Sequence, residues 1–252
     1  MDPAAARSVP PHPGSAPAWP YGLALGLLLA CGLAFGLLAR EAREAHPDGL
    51  DRYVHSWVAA HRDARPALTA AFRAITRVGD WPWAAAATVA VALMIALVPG
   101  REPRRWRPGE ALFFAGVVAA GWGLNRALKL VFRRDRPDEA FRLIAEDSFS
   151  FPSGHSVFAA VFFGMLAVLS WRLARLRSPL VRLGLVLVCL MLAALVAASR
   201  VWLGVHYVSD VAGGMVLGLA WVALAWTIRE AWGRWRSAPF ADQHVRDPLP
   251  PG

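Results

Sequence analysis

Six apolar runs divide this 252-residue chain, more than a soluble helical core needs, and they point to a polypeptide that crosses a membrane repeatedly. Tyr21–Ala39 is 19 residues without a charge, and Trp81–Gly100 is 20, fenced by Asp80 and Arg101. Ala111–Asn125 is uncharged for 15 residues and continues through Arg126 and Lys129 to Phe132. Ser156–Trp171, Leu183–Ser199 and Val211–Ile228 supply 16, 17 and 18 residues. A helix needs about 20 residues to span the hydrocarbon core. The shorter runs reach that length through flanks that carry His155, Arg200, His206 and Asp210. The expected fold is therefore all-α: a polytopic membrane protein with six transmembrane helices. A buried soluble helical core is the alternative, but it needs fewer such runs.

Composition agrees. Charged residues are 18% of the chain, against about 25% for a soluble domain. Two cysteines, Cys31 and Cys189, both within apolar runs, exclude a disulfide scaffold. The formal net charge of +9 fits basic loops on an anionic lipid surface better than it fits nucleic acid. The Pro-rich stretch 1–19 and the stretch 237–252 read as disordered tails, leaving 20–236 as one membrane domain. Leu28-Leu29-Ala30-Cys31 resembles a lipoprotein cleavage box, but the apolar run continues to Ala39, so the expectation is an uncleaved first span. Within 50–78, Tyr53, Val54, Trp57, Val58 and His61 follow helical spacing. After Pro66, so do Leu68, Phe72, Ile75 and Val78. One or two amphipathic helices lying on the bilayer are expected there.

With six spans, both termini share a side with the loops Arg101–Glu110 and Arg172–Arg182. Thirteen Lys/Arg residues fall on that side and fourteen on the other. Density separates them, because the two loops pack eight arginines into 21 residues. The termini are thus placed in the cytoplasm of a cell membrane.

Ionisable residues at membrane depth mark function. They form three clusters here: Lys129 through Arg136-Pro137; Phe151-Pro152-Ser153-Gly154-His155; and Ser199-Arg200 with His206 and Asp210. Between His155 and Ser199 lie 43 residues, enough for two crossings and a turn. Lys129 and His155 are joined by a loop too short to cross. All three clusters therefore meet on one face, placed outside the cytoplasm.

Their chemistry suits a phosphate ester. Lys129, Arg136 and Arg200 are three cations for one anion. Ser153 and Gly154 open a helix, where backbone N–H groups and the helix dipole favour an anion. His206 and Asp210 are four apart, so the carboxylate can hold Nδ1–H and leave Nε2 to attack phosphorus. His155, from another helix, can protonate the leaving oxygen and then activate water against a phosphohistidine. His12, His46, His55, His61 and His244 lack such surroundings and read as solvated side chains.

The pattern Lys-x6-Arg-Pro, then Pro-Ser-Gly-His, then Ser-Arg-x5-His-x3-Asp resembles the type 2 phosphatidic acid phosphatase superfamily. That superfamily holds integral membrane lipid phosphatases and the related vanadium haloperoxidases. All eleven specified positions are present in order. The resemblance covers about 51–226 and implies a six-helix fold and metal-independent phosphate hydrolysis with no cofactor. It implies phosphate binding by Lys129, Arg136, Ser153, Gly154 and Arg200. His155 would be the acid/base, His206 the nucleophile and Asp210 its orienting partner. Val208 departs from the proline of many members. The substrate class expected is a membrane lipid phosphate: undecaprenyl diphosphate, phosphatidic acid, phosphatidylglycerol phosphate or a lipid A phosphate. Phosphotransfer through the same phosphohistidine, or silent lipid binding or transport, are the alternatives.

Overall fold

The structure, a computed structural model, describes residues 19–44, 49–97, 107–172 and 178–237. The two tails and most of the two arginine-dense loops lie outside the described residues. The described residues contain eight α-helices and no strand. They are α1 (Trp19–Glu41), α2 (Gly49–His61), α3 (Pro66–Thr76), α4 (Trp81–Leu97), α5 (Arg107–Phe132), α6 (Gly154–Arg172), α7 (Pro179–Trp202) and α8 (Val208–Ser237).

Each apolar run has become a helix. α1 and α5 to α8 are individually long and apolar enough to cross a bilayer. α3 and α4 qualify together as a sixth span, bent by 59°. Leucines 23, 25, 27, 29, 33 and 37 of α1 face outward. In water, leaving each exposed would cost roughly 1.5 kcal/mol or more; in lipid the same surface is the favourable one.

α6 is the centre of the bundle and packs against α5, α7 and α8. It is apolar on every side, as a helix enclosed by others must be, and Val157 to Phe163 are all buried. Its approach to α8 requires glycine: a Cβ added at Gly214 would lie 2.7 Å from the Ser153 carbonyl oxygen, and one at Gly218 would lie 2.5 Å from the Ala160 Cβ. α1 packs on α8, α4 on α5, and α3 on α7. Trp202 of α7 donates from Nε1 to Thr69 Oγ1 at 2.9 Å, which fastens α3 to the bundle.

Two helices, α2 and α3, occupy most of the stretch 50–78. α2 turns Asp51 and Val58 inward, and α3 leads into the bent span. The segment 133–153 folds back over the same end of the bundle. Ser150 N–H donates to Arg134 O at 2.8 Å, Leu143 N–H to Leu203 O at 3.0 Å, and Ser153 N–H to Asp210 O at 3.0 Å. The last turn of α5, the first turns of α6 and α8 and the last turn of α7 thereby converge.

Candidate active site

The three clusters come together at this convergence. Lys129, on the last turn of α5, is 6% exposed and donates from Nζ to the Phe149 carbonyl. Arg136 follows α5 outside any helix. It donates from Nε to Ser148 O at 2.6 Å and from Nη1 to Val205 O at 2.7 Å. Arg200, near the end of α7, is fully buried and donates from Nη1 to Thr76 Oγ1 at 2.6 Å. One carboxylate links two of these cations: Glu146 accepts from Arg136 Nη2 at 3.3 Å and from Arg200 Nη2. Burial raises the Glu146 carboxyl, but the two guanidinium groups outweigh it and hold the group below its usual range. Arg136 itself is lowered to about 10, first by burial, with Glu146 opposing and Arg200 adding to the effect; it stays charged at neutral pH.

α6 begins at Gly154, so Ser153 and Gly154 do open a helix. The first helical bond is Val157 N–H to Ser153 O at 3.0 Å. Pro152 lies two residues before the helix, rather than in its first turn, and its carbonyl accepts from Asn125 Nδ2 at 3.0 Å. Ser153 Oγ and Arg200 Nε are buried with no hydrogen-bond partner. Both can donate to an oxyanion, which is the chemistry those two residues were expected to supply.

His206 departs from expectation in one respect. It precedes α8 instead of sharing a helical face with Asp210. Asp210 lies in the first turn of α8 and caps the entering chain by accepting from Tyr207 N–H at 2.9 Å. The direct His206 Nδ1 to Asp210 Oδ2 distance is 3.4 Å. A hydroxyl closes that gap: Ser150 Oγ donates to Asp210 Oδ2 and lies 3.2 Å from His206 Nδ1. On the other side of the ring, Nε2 is 3.2 Å from Arg136 Nη1. A guanidinium only donates, so Nε2 is the acceptor and Nδ1 carries the proton. Burial first, then the charges of Arg136, Lys129 and Arg200, pushes His206 well below its usual value. The ring is therefore neutral at pH 7, with its lone pair among the cations.

His155, in the first turn of α6, has Nε2 3.0 Å from Asp80 Oδ1. Arg134 stands behind the site. Nη1 donates to Asp210 Oδ1 at 2.7 Å, and Nη2 to Asp51 Oδ2 at 2.9 Å. Asp51 in turn accepts from the Ser209 backbone N–H at 2.9 Å. Sequence reasoning placed all eight candidate residues in this region but did not single out Glu146, Ser150, Arg134, Asp51 or Asp80. Arg134 lies inside the first cluster, and Ser150 is five residues before His155, so their neighbourhood was the available signal. Ser199, matched in the motif, donates from Oγ to Val196 O at 2.6 Å within its own helix. His55, read as a solvated side chain, is partly buried and sits edge-on against Phe141, with ring centroids 4.9 Å apart.

Beside the site lies an apolar groove of about 330 Å³ between α4, α5 and α6. Trp81, Ala85, Thr88, Ala119, Trp122 and Phe158 line it. It starts one residue from Asp80, and Trp81 and Trp122 of its lining are exposed.

Comparison with known proteins bears on the same residues. The PAP2 superfamily profile matches residues 110–234, which include every candidate site residue. Phosphatidylglycerophosphatase B of Bacillus subtilis is 44% identical over 96 residues, 38% of this chain and 46% of that protein's length. Decaprenylphosphoryl-5-phosphoribose phosphatase of Mycobacterium tuberculosis is 31% identical over 160 residues, 61% of this chain and 76% of that protein. The crystal structure of a transmembrane PAP2-type phosphatidylglycerolphosphate phosphatase from Bacillus subtilis superposes with a TM-score of 0.68 at 28% identity. That superposition covers 81% of this chain and 96% of that one.

Proposed function

This chain belongs to the PAP2 superfamily, and from that premise we propose that it is an integral membrane lipid phosphatase. It removes phosphate from a phosphomonoester or diphosphate lipid through a phosphohistidine on His206, without a metal. The observation that carries this reading is the neutral His206 ring, with Nε2 facing Arg136 and Nδ1 backed by Ser150 and Asp210. Phosphate competes with Glu146 for Arg136 and Arg200, and draws further donors from Lys129, Ser153 and the backbone at Gly154. His206 Nε2 attacks phosphorus, and His155 gives a proton to the leaving oxygen. His155 then takes a proton from the water that releases phosphate.

An amphiphilic substrate fits the surroundings. The groove ending at Trp81 is apolar throughout and adjoins the polar site, so a chain lying in it brings a headgroup ester to His155. Residues 20–236 form the catalytic unit in this reading, with the α2–α3 stretch at the bilayer interface. Purified protein is expected to release phosphate from at least one of undecaprenyl diphosphate, phosphatidic acid, phosphatidylglycerol phosphate and a lipid A phosphate. Activity should survive EDTA, because Asp210 is engaged by Arg134, Ser150 and Tyr207 and the anion is neutralised by cations. Orthovanadate should inhibit, since it adopts five-coordinate geometry against a nucleophilic nitrogen. Loss of activity in chelator with recovery in Mg²⁺ would overturn the mechanism.

The same reading places the site on the extracytoplasmic face, supported by the density of arginine in the sequence stretches Arg101–Glu110 and Arg172–Arg182. A single cysteine at Asp138, which is exposed, should react with an impermeant thiol reagent on intact cells in a Cys31→Ser, Cys189→Ser background. A cysteine at Arg175 should be protected. The reverse pattern inverts the topology.

A further inference from the structure

The bend between α3 and α4 touches the site in three places that neither the sequence motifs nor the proposed phosphate cradle includes. Thr76, the last residue of α3, is buried and accepts from Arg200 Nη1 at 2.6 Å. The 3₁₀ turn Arg77–Gly79 then brings Gly79 flat against the His155 ring. A Cβ there would sit 2.8 Å from the ring Cγ and 3.1 Å from the His155 Cβ, so no other residue fits without moving the imidazole. Asp80 follows in extended conformation, and its backbone carbonyl accepts the first bond of α4, from Ala84 N–H at 2.8 Å. Its side chain is 45% exposed, and Oδ1 meets His155 Nε2 at 3.0 Å. A carboxylate accepts, so Nε2 carries the proton.

We propose that Asp80 is the positioning residue of His155, so that each of the two histidines works with a carboxylate of its own. This rests on the phosphatase reading above and assigns the proton chemistry of its leaving-group half. Asp80 keeps Nε2–H and, with Gly79, fixes the plane of the ring; the proton exchanged is the one on Nδ1. In the first half-reaction, His206 Nε2 forms the N–P bond and the P–O bond to the lipid breaks. The departing oxygen takes the Nδ1 proton, leaving neutral imidazole still bonded to Asp80. In the second half, water gives a proton to Nδ1, its oxygen bonds to phosphorus and the N–P bond breaks. The carboxylate offsets the positive charge that the ring gains and loses in these steps.

The position of Asp80 fits that task. It lies between the end of α3, which holds Arg200, and Trp81, the first residue of the apolar groove. A lipid whose tail lay in the groove would bring its ester oxygen to the end of the groove beside Asp80 and His155. That is the oxygen that must be protonated when the leaving group is an aliphatic alcohol.

Leaving-group dependence separates this role from a structural one. The measurement is the single-turnover rate of leaving-group release by wild type, Asp80→Asn and Asp80→Glu. Each is tested with p-nitrophenyl phosphate and with whichever of phosphatidic acid or phosphatidylglycerol phosphate the wild type turns over. Asp80→Asn should lose about 10²-fold on the lipid, the usual worth of a positioned general acid. It should lose less than about tenfold on p-nitrophenyl phosphate, whose phenolate leaves with little protonation. Asp80→Glu should recover part of the lipid rate, and orthovanadate inhibition should stay within about threefold of wild type in both variants. Equal losses on the two substrates, or no loss, would overturn the assignment; so would weakened vanadate binding in both variants, which would mark Asp80 as a structural residue. Failure of the underlying reading looks different: wild type would release no phosphate, or His206→Ala would remain active.

Discussion

His206→Ala should remove turnover almost completely, by at least about 10⁴-fold, the scale seen when a nucleophile that acts as part of a unit is deleted. The expectation follows from how much of the local structure serves this one ring. It is 2% exposed, and burial among cations keeps it neutral. Its two nitrogens are distinguished by partners of opposite kind, Arg136 at Nε2 and Ser150 with Asp210 at Nδ1. Phosphate release measures the loss. Rapid acid quench tests its cause: wild type should yield acid-labile phosphoprotein, and His206→Ala should yield none. Ser150 and Ser153 are the competing nucleophiles, both fully buried beside the ring or the cations. Phosphate recovered on a serine, or a rate within about 100-fold of wild type, would take His206 out of the nucleophile role.

What the sequence revealed and what it hid divide along physical lines. The spans were legible because lipid demands an unbroken apolar run whatever the neighbours are. The three cations Lys129, Arg136 and Arg200 and the two histidines were legible because charge at membrane depth needs a reason. Their partners were not. Glu146 lies in a polar loop where a carboxylate is unremarkable, and only the fold brings it to Arg136 and to Arg200, 54 residues away. Asp80 read as the fence of a span until the 59° bend placed it on His155. Spacing was also misleading at one point. His206 and Asp210 are four apart, but the chain enters α8 only at Val208, so their relation is that of a turn to its cap. The 3.4 Å gap this leaves is filled by Ser150, 60 residues upstream of Asp210, a link that local periodicity cannot show.

Arg134 was hidden for the same reason, and removing it should have the second large effect, on stability as well as rate. Arg134 is 8% exposed and joins two carboxylates that are almost fully enclosed, Asp51 of α2 and Asp210 of α8. Its guanidinium also lies 4.6 Å from the Tyr207 ring centroid. Arg134→Gln keeps some hydrogen bonding but leaves two buried anions without their cation. Breaking a buried ion pair from one side costs about 3–5 kcal/mol, because the remaining charge is uncompensated. The variant should therefore unfold at a clearly lower temperature in the same detergent. What folded protein remains should also turn over slowly, since Asp210 would be free to shift from the Ser150–His206 side. Asp51→Asn should cost less: it removes one anion but leaves the Arg134–Asp210 pair intact, so α2 loosens while Asp210 keeps its cation. The two substitutions share a partner, and in combination they should cost less than the sum of their separate effects. Strict additivity, or an Arg134→Gln protein that unfolds within about 0.5 kcal/mol of wild type, would show that the site holds Asp210 by its neutral donors, Ser150 and Tyr207, without help from the buried arginine.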